Sequence, residues 1–118
     1  MSSGLPIAPR RGEVWLSDLE PVIGHEQGGI RPALVLSDDG LNAGPSRLVA
    51  LIPITTRDRG LPMQVRVAPP EGGLQHPSVI MCEQTKVLSQ LRLRRRLGTI
   101  DPATMLQVET VLRRLFRL

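Results

Sequence analysis

Two short stretches concentrate the side chains that could do chemistry. The first is Gly24-His25-Glu26-Gln27-Gly28-Gly29-Ile30-Arg31-Pro32, which places a carboxylate, an imidazole and a guanidinium around a pair of glycines. The second is Pro53-Ile54-Thr55-Thr56, where an apolar run ends on two hydroxyls. Other chemistries fit poorly. The only histidines, His25 and His76, are far apart and neither shares ligand spacing with a carboxylate, so no metal or other cofactor is expected. The single cysteine, Cys82, sits in the apolar run Val79-Ile80-Met81-Cys82 and reads as a small buried hydrophobe rather than a nucleophile. No glycine-rich loop ends in Lys-Ser or Lys-Thr, which excludes a P-loop.

The remaining set is Arg, hydroxyl and carboxylate, and it suits metal-free cleavage of RNA. There the substrate brings its own nucleophile, the 2′-OH. The protein takes one proton, gives one to the leaving 5′-oxygen, and stabilises the charge that develops on phosphorus. Arg31, always protonated, would clamp the phosphate. Thr55 would donate to a non-bridging oxygen, and Glu26 and His25 are both candidates to take the 2′-OH proton. A plainer reading stands beside this one: Arg31 and Glu26 could simply form a salt bridge that anchors the loop.

Elements must hold these residues in place. Glu13 to Leu19 is expected to form a first strand, ended at Pro21, which cannot donate to a ladder. Ala33 to Ser37 is a continuous apolar run and is expected to be buried on both faces. Arg47 to Ile54, Gln64 to Val67 and Ser78 to Cys82 are further strands, with a short last one at Leu97 to Ile100. The loops between them are too short for helical crossovers, which favours an antiparallel, curled sheet or small barrel. Asp101-Pro102 opens a helix, with Asp as cap and Pro in the first position. Its apolar stripe is expected to be Met105, Val108, Leu112, Leu115 and Phe116.

The whole chain of 118 residues reads as one domain, with residues 1–10 a disordered lead-in. Aromatics are nearly absent, one Trp and one Phe, so the core must be aliphatic and an aromatic stacking platform for RNA is disfavoured. A formal charge of +4 comes almost wholly from arginine, fourteen against a single lysine, clustered at Arg92–Arg96 and Arg113–Arg117. Such a surface suits a polyanion, and it equally suits a solvated basic face. No run is apolar and long enough to span a membrane, and a cytoplasmic setting is expected.

Several segments in order, Arg11-Gly12-Glu13-Val14-Trp15, Asp18-Leu19-Glu20-Pro21, the Gly24 to Pro32 loop, Pro53-Ile54-Thr55-Thr56, Glu83-Gln84-Thr85-Lys86-Val87 and Gly98-Thr99-Ile100, resemble the MazF/PemK family of toxin ribonucleases. The resemblance covers about residues 10 to 117. It implies a mainly β fold, an SH3-like small barrel of antiparallel strands with a C-terminal helix, as in plasmid-maintenance toxins, and a homodimer. It implies sequence-specific, metal-independent cutting of single-stranded RNA to 2′,3′-cyclic phosphate and 5′-OH ends. Arg31 and Thr55 fall on the family's catalytic positions and Glu26 on a supporting one. The flanking loops would bind RNA through His25, Gln27, Gly29, Thr56, Arg57 and Arg59. His25 stands where the family often has Ser, and Ile30 where some members have His, so a second acid–base group has either moved to His25 or is absent. An antitoxin with an acidic, disordered tail is the implied protein partner. Two alternatives use the same barrel: a toxin that binds a topoisomerase subunit without cleaving anything, and a barrel that binds RNA without cutting it.

Overall fold

The computed structural model describes residues 7–20 and 29–118. The elements are β1 (Glu13–Asp18), β2 (Ile30–Val35), a short helix α1 (Asp39–Asn42), β3 (Leu48–Thr55), β4 (Gln64–Val67), β5 (Ser78–Met81), β6 (Lys86–Ser89), β7 (Leu93–Thr99) and α2 (Pro102–Phe116). Single 3-10 turns occupy Glu71–Gly73, Cys82–Gln84 and Gln90–Arg92. Every strand pair is antiparallel, in the order β4-β5-β3-β2-β1-β7, with β6 also on β3. The mainly β, antiparallel fold with a C-terminal helix is the one expected.

Side chains alternate across a strand, so each central strand feeds two apolar clusters. From β3, Ile52 and Ile54 join Val14, Leu34, Ile80, Val108 and Leu112 in the main core. Val49 and Leu51 join Leu19, Ala33 and Val35 on the other face, with Trp15, Leu88 and Leu93 packed against them. This explains the unbroken apolar run in β2: Ala33, Leu34 and Val35 are all fully buried, on alternate faces.

One edge of β3 is covered by β2. The other is covered by β5 and β6 in succession, with Thr55 opposite Val79 at one end and Leu48 opposite Ser89 at the other. The 3-10 turn at Cys82–Gln84 breaks this partner in two and lets the sheet change direction. The barrel is not closed by hydrogen bonds, because β4 and β7 end the sheet without pairing. The seam is filled instead by the Glu71–Gly73 turn packed on β7. Gly73 has φ of 71°, and a Cβ there would overlap the Leu97 carbonyl. A Cβ on Gly98 would come within 2.6 Å of the Gly72 backbone. Glycine on both sides is what allows this approach.

Five points differ from expectation. β6 was not foreseen, and β7 begins at Leu93 rather than Leu97, because Arg94-Arg95-Arg96 reads as solvated charge rather than strand. A strand tolerates such side chains when carboxylates meet them, and Asp18 and Glu13 of β1 pair with Arg94 and Arg96, both at 2.9 Å. The turn expected after Ser37 contains α1, whose N-cap Asp38 accepts from the Gly40 amide at 2.8 Å. Pro102 does open α2, but the Asp101 carboxylate makes no capping bond; its amide donates to Glu71 Oε2 at 2.8 Å. The helix buries Thr104, Val108 and Leu112, whereas Leu115 and Phe116 are exposed, because the helix packs on β4 and the Cys82–Gln84 turn and its last turn lies outside that contact.

Of the expected lead-in, residues 7–10 are described. Pro9 is buried, and the Arg10 amide donates to Glu13 Oε1 at 2.8 Å. The next residue ties the start of the fold to its end: Arg11 donates to the Leu36 carbonyl and pairs with Glu109 of α2 at 2.6 Å.

Candidate active site

β2 and β3 deliver the two residues singled out for chemistry. Their ladder sets Ala33 opposite Pro53 and Leu34 opposite Ile52. Continued outward past the last paired rung, the same register brings Arg31 across from Thr55, and both line one groove of about 360 Å³. Arg31 itself is half-buried and stands opposite Ser17 of β1, which is fully buried. Because Pro32 follows it, the backbone at Arg31 is biased to the extended form that a strand needs.

The groove also takes Thr56, Arg57 and Arg59 from the loop after β3. It thus gathers five of the residues expected at the site. Among the described lining residues there are three arginines and one carboxylate, Glu83, a balance that favours an anion. Asp58 lies between Arg57 and Arg59 in sequence but is not part of the lining. Its Oδ2 accepts from Arg66 Nε at 2.6 Å and its Oδ1 from the Gly60 amide at 2.8 Å. The Arg66 hydrogen bond, then that from Gly60, holds the Asp58 carboxyl below the usual carboxylate value.

Thr55 Oγ1 accepts from the Arg57 amide at 3.2 Å. That contact fixes the hydroxyl oxygen and leaves its hydrogen available to an acceptor in the groove. Four lining residues were not foreseen: Leu61, Gln64, Met81 and Glu83. Gln64 Nε2 donates to Glu83 Oε2 at 3.0 Å, while Gln64 Oε1 is buried with no partner among the described residues. An orphaned acceptor beside an anion site is a place for a donor from a ligand, such as an exocyclic amine. The sequence signal was faint: a glutamine opening an alternating strand, and a glutamate directly after the buried run of β5.

His25, Glu26 and Gln27 lie outside the described residues. The base of their loop is defined. The Gly29 amide donates to Glu20 Oε2 at 2.6 Å, and the Leu19 amide donates to the Gly29 carbonyl at 2.9 Å. Gly29 has φ of 78°, a conformation that favours glycine, and it is not among the groove's lining residues. Asp18, at the same base, is held below the usual carboxylate value chiefly by the hydrogen bond from the Glu20 amide; burial opposes this, and the Arg94 guanidinium adds to the lowering.

Cys82 is fully buried away from the groove lining, and burial pushes its thiol up to about 12. Among the described residues, no group of three or more His, Cys, Asp or Glu is placed to hold a metal ion, and no helix is long and apolar enough to cross a membrane.

Comparison with known proteins agrees with this geometry. The chain is 36% identical over 104 residues to the endoribonuclease EndoA of Bacillus subtilis (strain 168), spanning 87% of this chain and 90% of that one. It is likewise 36% identical to the endoribonuclease MazF of Staphylococcus epidermidis, spanning 87% of each. It is similar to the crystal structure of MazF from Deinococcus radiodurans, with a TM-score of 0.85 and 29% identity over 96% of this chain and 100% of that one. It is also similar to a mycobacterial endoribonuclease solved with its cognate antitoxin, with a TM-score of 0.77 and 28% identity over 94% and 97% of the two chains. The family of PemK-like, MazF-like toxins of type II toxin-antitoxin systems matches residues 10–116, and the chain belongs to it.

Proposed function

We propose that this chain is a metal-independent endoribonuclease that cuts single-stranded RNA at a specific sequence, as the toxin of its toxin–antitoxin pair. The observation that carries this reading is the convergence of Arg31 and Thr55 from adjacent strands on a basic groove. The 2′-oxygen attacks the neighbouring phosphorus and loses its proton to a base. The P–O5′ bond breaks, and the 5′-oxygen leaves with a proton. The products are a 2′,3′-cyclic phosphate and a 5′-OH. Arg31 offers its planar fork to the non-bridging oxygens, and Thr55 adds a hydroxyl donor to the same charge. Glu26 supports the proton transfer, with His25 as the second candidate for it. The buried, unpartnered Gln64 Oε1 and the carboxylate of Glu83 read base edges, and Thr56, Arg57 and Arg59 hold the strand. His25, Gln27 and Gly29 add further contacts to the RNA.

Its protein partner is an antitoxin whose acidic tail competes for the same groove, and the chain works as a cytoplasmic homodimer. The deciding experiment incubates purified protein with a long RNA in EDTA and maps the cleaved ends. Cyclic-phosphate ends at a recurring motif, lost in Arg31→Ala, support the reading. Absence of cleavage by the wild type overturns it and favours a non-catalytic toxin of the same fold, for which direct binding to a topoisomerase subunit is the corresponding assay.

A further inference from the structure

A second groove of about 230 Å³ opens beside the first, and the two share Thr56. Its walls are Leu16, Pro32, Leu74 and Leu97, with His76 and Arg95 as its ionisable lining residues. Among the described residues, no carboxylate lines it. The sheet register explains why these residues meet: Leu16 of β1 stands opposite Pro32 of β2 on one side and opposite Arg95 of β7 on the other. Residues directly opposed across antiparallel strands share a face, so Pro32, Leu16 and Arg95 form one rung that runs from the Arg31-Pro32 motif to the basic strand.

Arg95 differs from its neighbours. Arg94 pairs with Asp18 and Arg96 with Glu13. Among the described residues, Arg95 has neither an ion pair nor a hydrogen-bonded partner. An unneutralised guanidinium above an apolar floor fits one nucleotide: the base lies against Leu16, Pro32 and Leu74, and the phosphate meets the fork.

We infer that this groove is a subsite for an RNA nucleotide next to the cleaved linkage, on the side where the strand passes over Thr56, with Arg95 as its phosphate contact and His76 at its rim. The inference rests on the endoribonuclease reading of the first groove and extends it.

The test separates the two. Binding is measured first, as fluorescence anisotropy of mixed-sequence, 2′-O-methylated RNA oligonucleotides, which cannot be cleaved, over a range of salt concentrations. Arg95→Ala is expected to weaken binding about tenfold and to reduce the slope of log affinity against log salt by about 0.7, the value for one single-strand phosphate. Arg95→Lys is expected to restore most of the slope, since it keeps the charge. Arg94→Ala, which removes a carboxylate-paired arginine, serves as the control for a general loss of positive charge.

Cleavage is measured second, with oligonucleotides lengthened one nucleotide at a time on either side of the mapped site. In the wild type, one added nucleotide is expected to lower KM, and Arg95→Ala is expected to lose that gain. Equal salt slopes for wild type and Arg95→Ala would overturn the assignment, as would an equal loss in Arg94→Ala. A defect confined to binding of an acidic antitoxin peptide would give the groove to the antitoxin and also overturn it. A wild type that binds RNA with the Arg95-dependent slope but never cleaves would retain the subsite while sinking the endoribonuclease reading.

Discussion

The amide of Arg57 donates to Thr55 Oγ1 at 3.2 Å, so the hydroxyl of Thr55 is held from behind by the loop that also carries two of the groove's arginines. One oxygen lone pair is engaged by the main chain, and the hydroxyl hydrogen is free to rotate toward an acceptor that enters. Position 55 therefore needs a hydroxyl more than a particular side-chain shape. Thr55→Val keeps the shape and removes the donor, and it is expected to lower kcat on RNA about 10²- to 10³-fold, the scale for losing one donor to a developing oxyanion. Thr55→Ser is expected to retain most activity. Thr56→Val, which alters a residue shared by both grooves, is expected to change KM more than kcat. Steady-state kinetics on an oligonucleotide carrying the mapped site decides among these.

Arg31 contributes a planar fork as well as a charge. Arg31→Lys keeps the charge and loses the paired geometry, so cleavage is expected to slow about 10- to 100-fold, equivalent to one charge-assisted hydrogen bond. Single-turnover cleavage is the measurement. Full activity in the lysine variant would mean that Arg31 acts only through the field of the groove.

The Asp58–Arg66 contact has a defined pH signature. The folded-state pKa of Asp58 is depressed, so its contribution is present above the ordinary carboxylate value and is lost as the pH falls through the lower folded value. The loop arrangement is therefore expected to be constant from about pH 5 to 8 and to loosen only below about pH 4. Both side chains are solvent-exposed, so the pair holds the loop's shape and adds little to stability. NMR titration of the Asp58 carboxyl in Arg66→Ala should show its pKa move back up; an unchanged value would remove Arg66 as the cause.

Gly73 is the tightest point of the seam. Gly73→Ala adds a Cβ that overlaps the Leu97 carbonyl, at a backbone conformation that alanine rarely adopts. The expected loss is about 1–3 kcal/mol, read as a drop in denaturation midpoint. A variant as stable as the wild type would show that the turn can lift off β7.

Cys82 should be silent toward thiol reagents. With its thiol pushed up to about 12 and fully buried, modification by iodoacetamide at pH 8 is expected only after denaturant opens the core. Rapid labelling of the native protein would place Cys82 near the surface.

Much of this was legible in the residues. Continuous apolar runs such as Ala33–Val35 and Val49–Ile54 announce buried strands, and the ordered motifs name the family that the comparisons show. Arg31 and Thr55 could be nominated from chemistry alone, and their strands do bring them to one groove. The rest depends on partners distant in sequence. Arg94 and Arg96 look like loop charges until Asp18 and Glu13 are seen across the ladder. Gln64 and Glu83 are nineteen residues apart and meet only because β4 pairs with β5. The exposed Leu115 and Phe116 continue a helical stripe in sequence, but the described fold leaves them open at the last turn.

The double coverage of β3 has a consequence for how the molecule opens. β2 holds one edge, while β5 and β6 hold the other, and Leu51 is paired on both sides at once. Such a strand cannot fray from an edge. Its amide hydrogens should exchange with solvent most slowly, through whole-molecule unfolding, while those of β4 and β7, each bonded to a single neighbour, exchange through smaller openings. Thr55 sits at the end of that slow segment, so the proposed hydroxyl donor is fastened to the part of the protein that lets go last, and the loops around it can move without carrying it along.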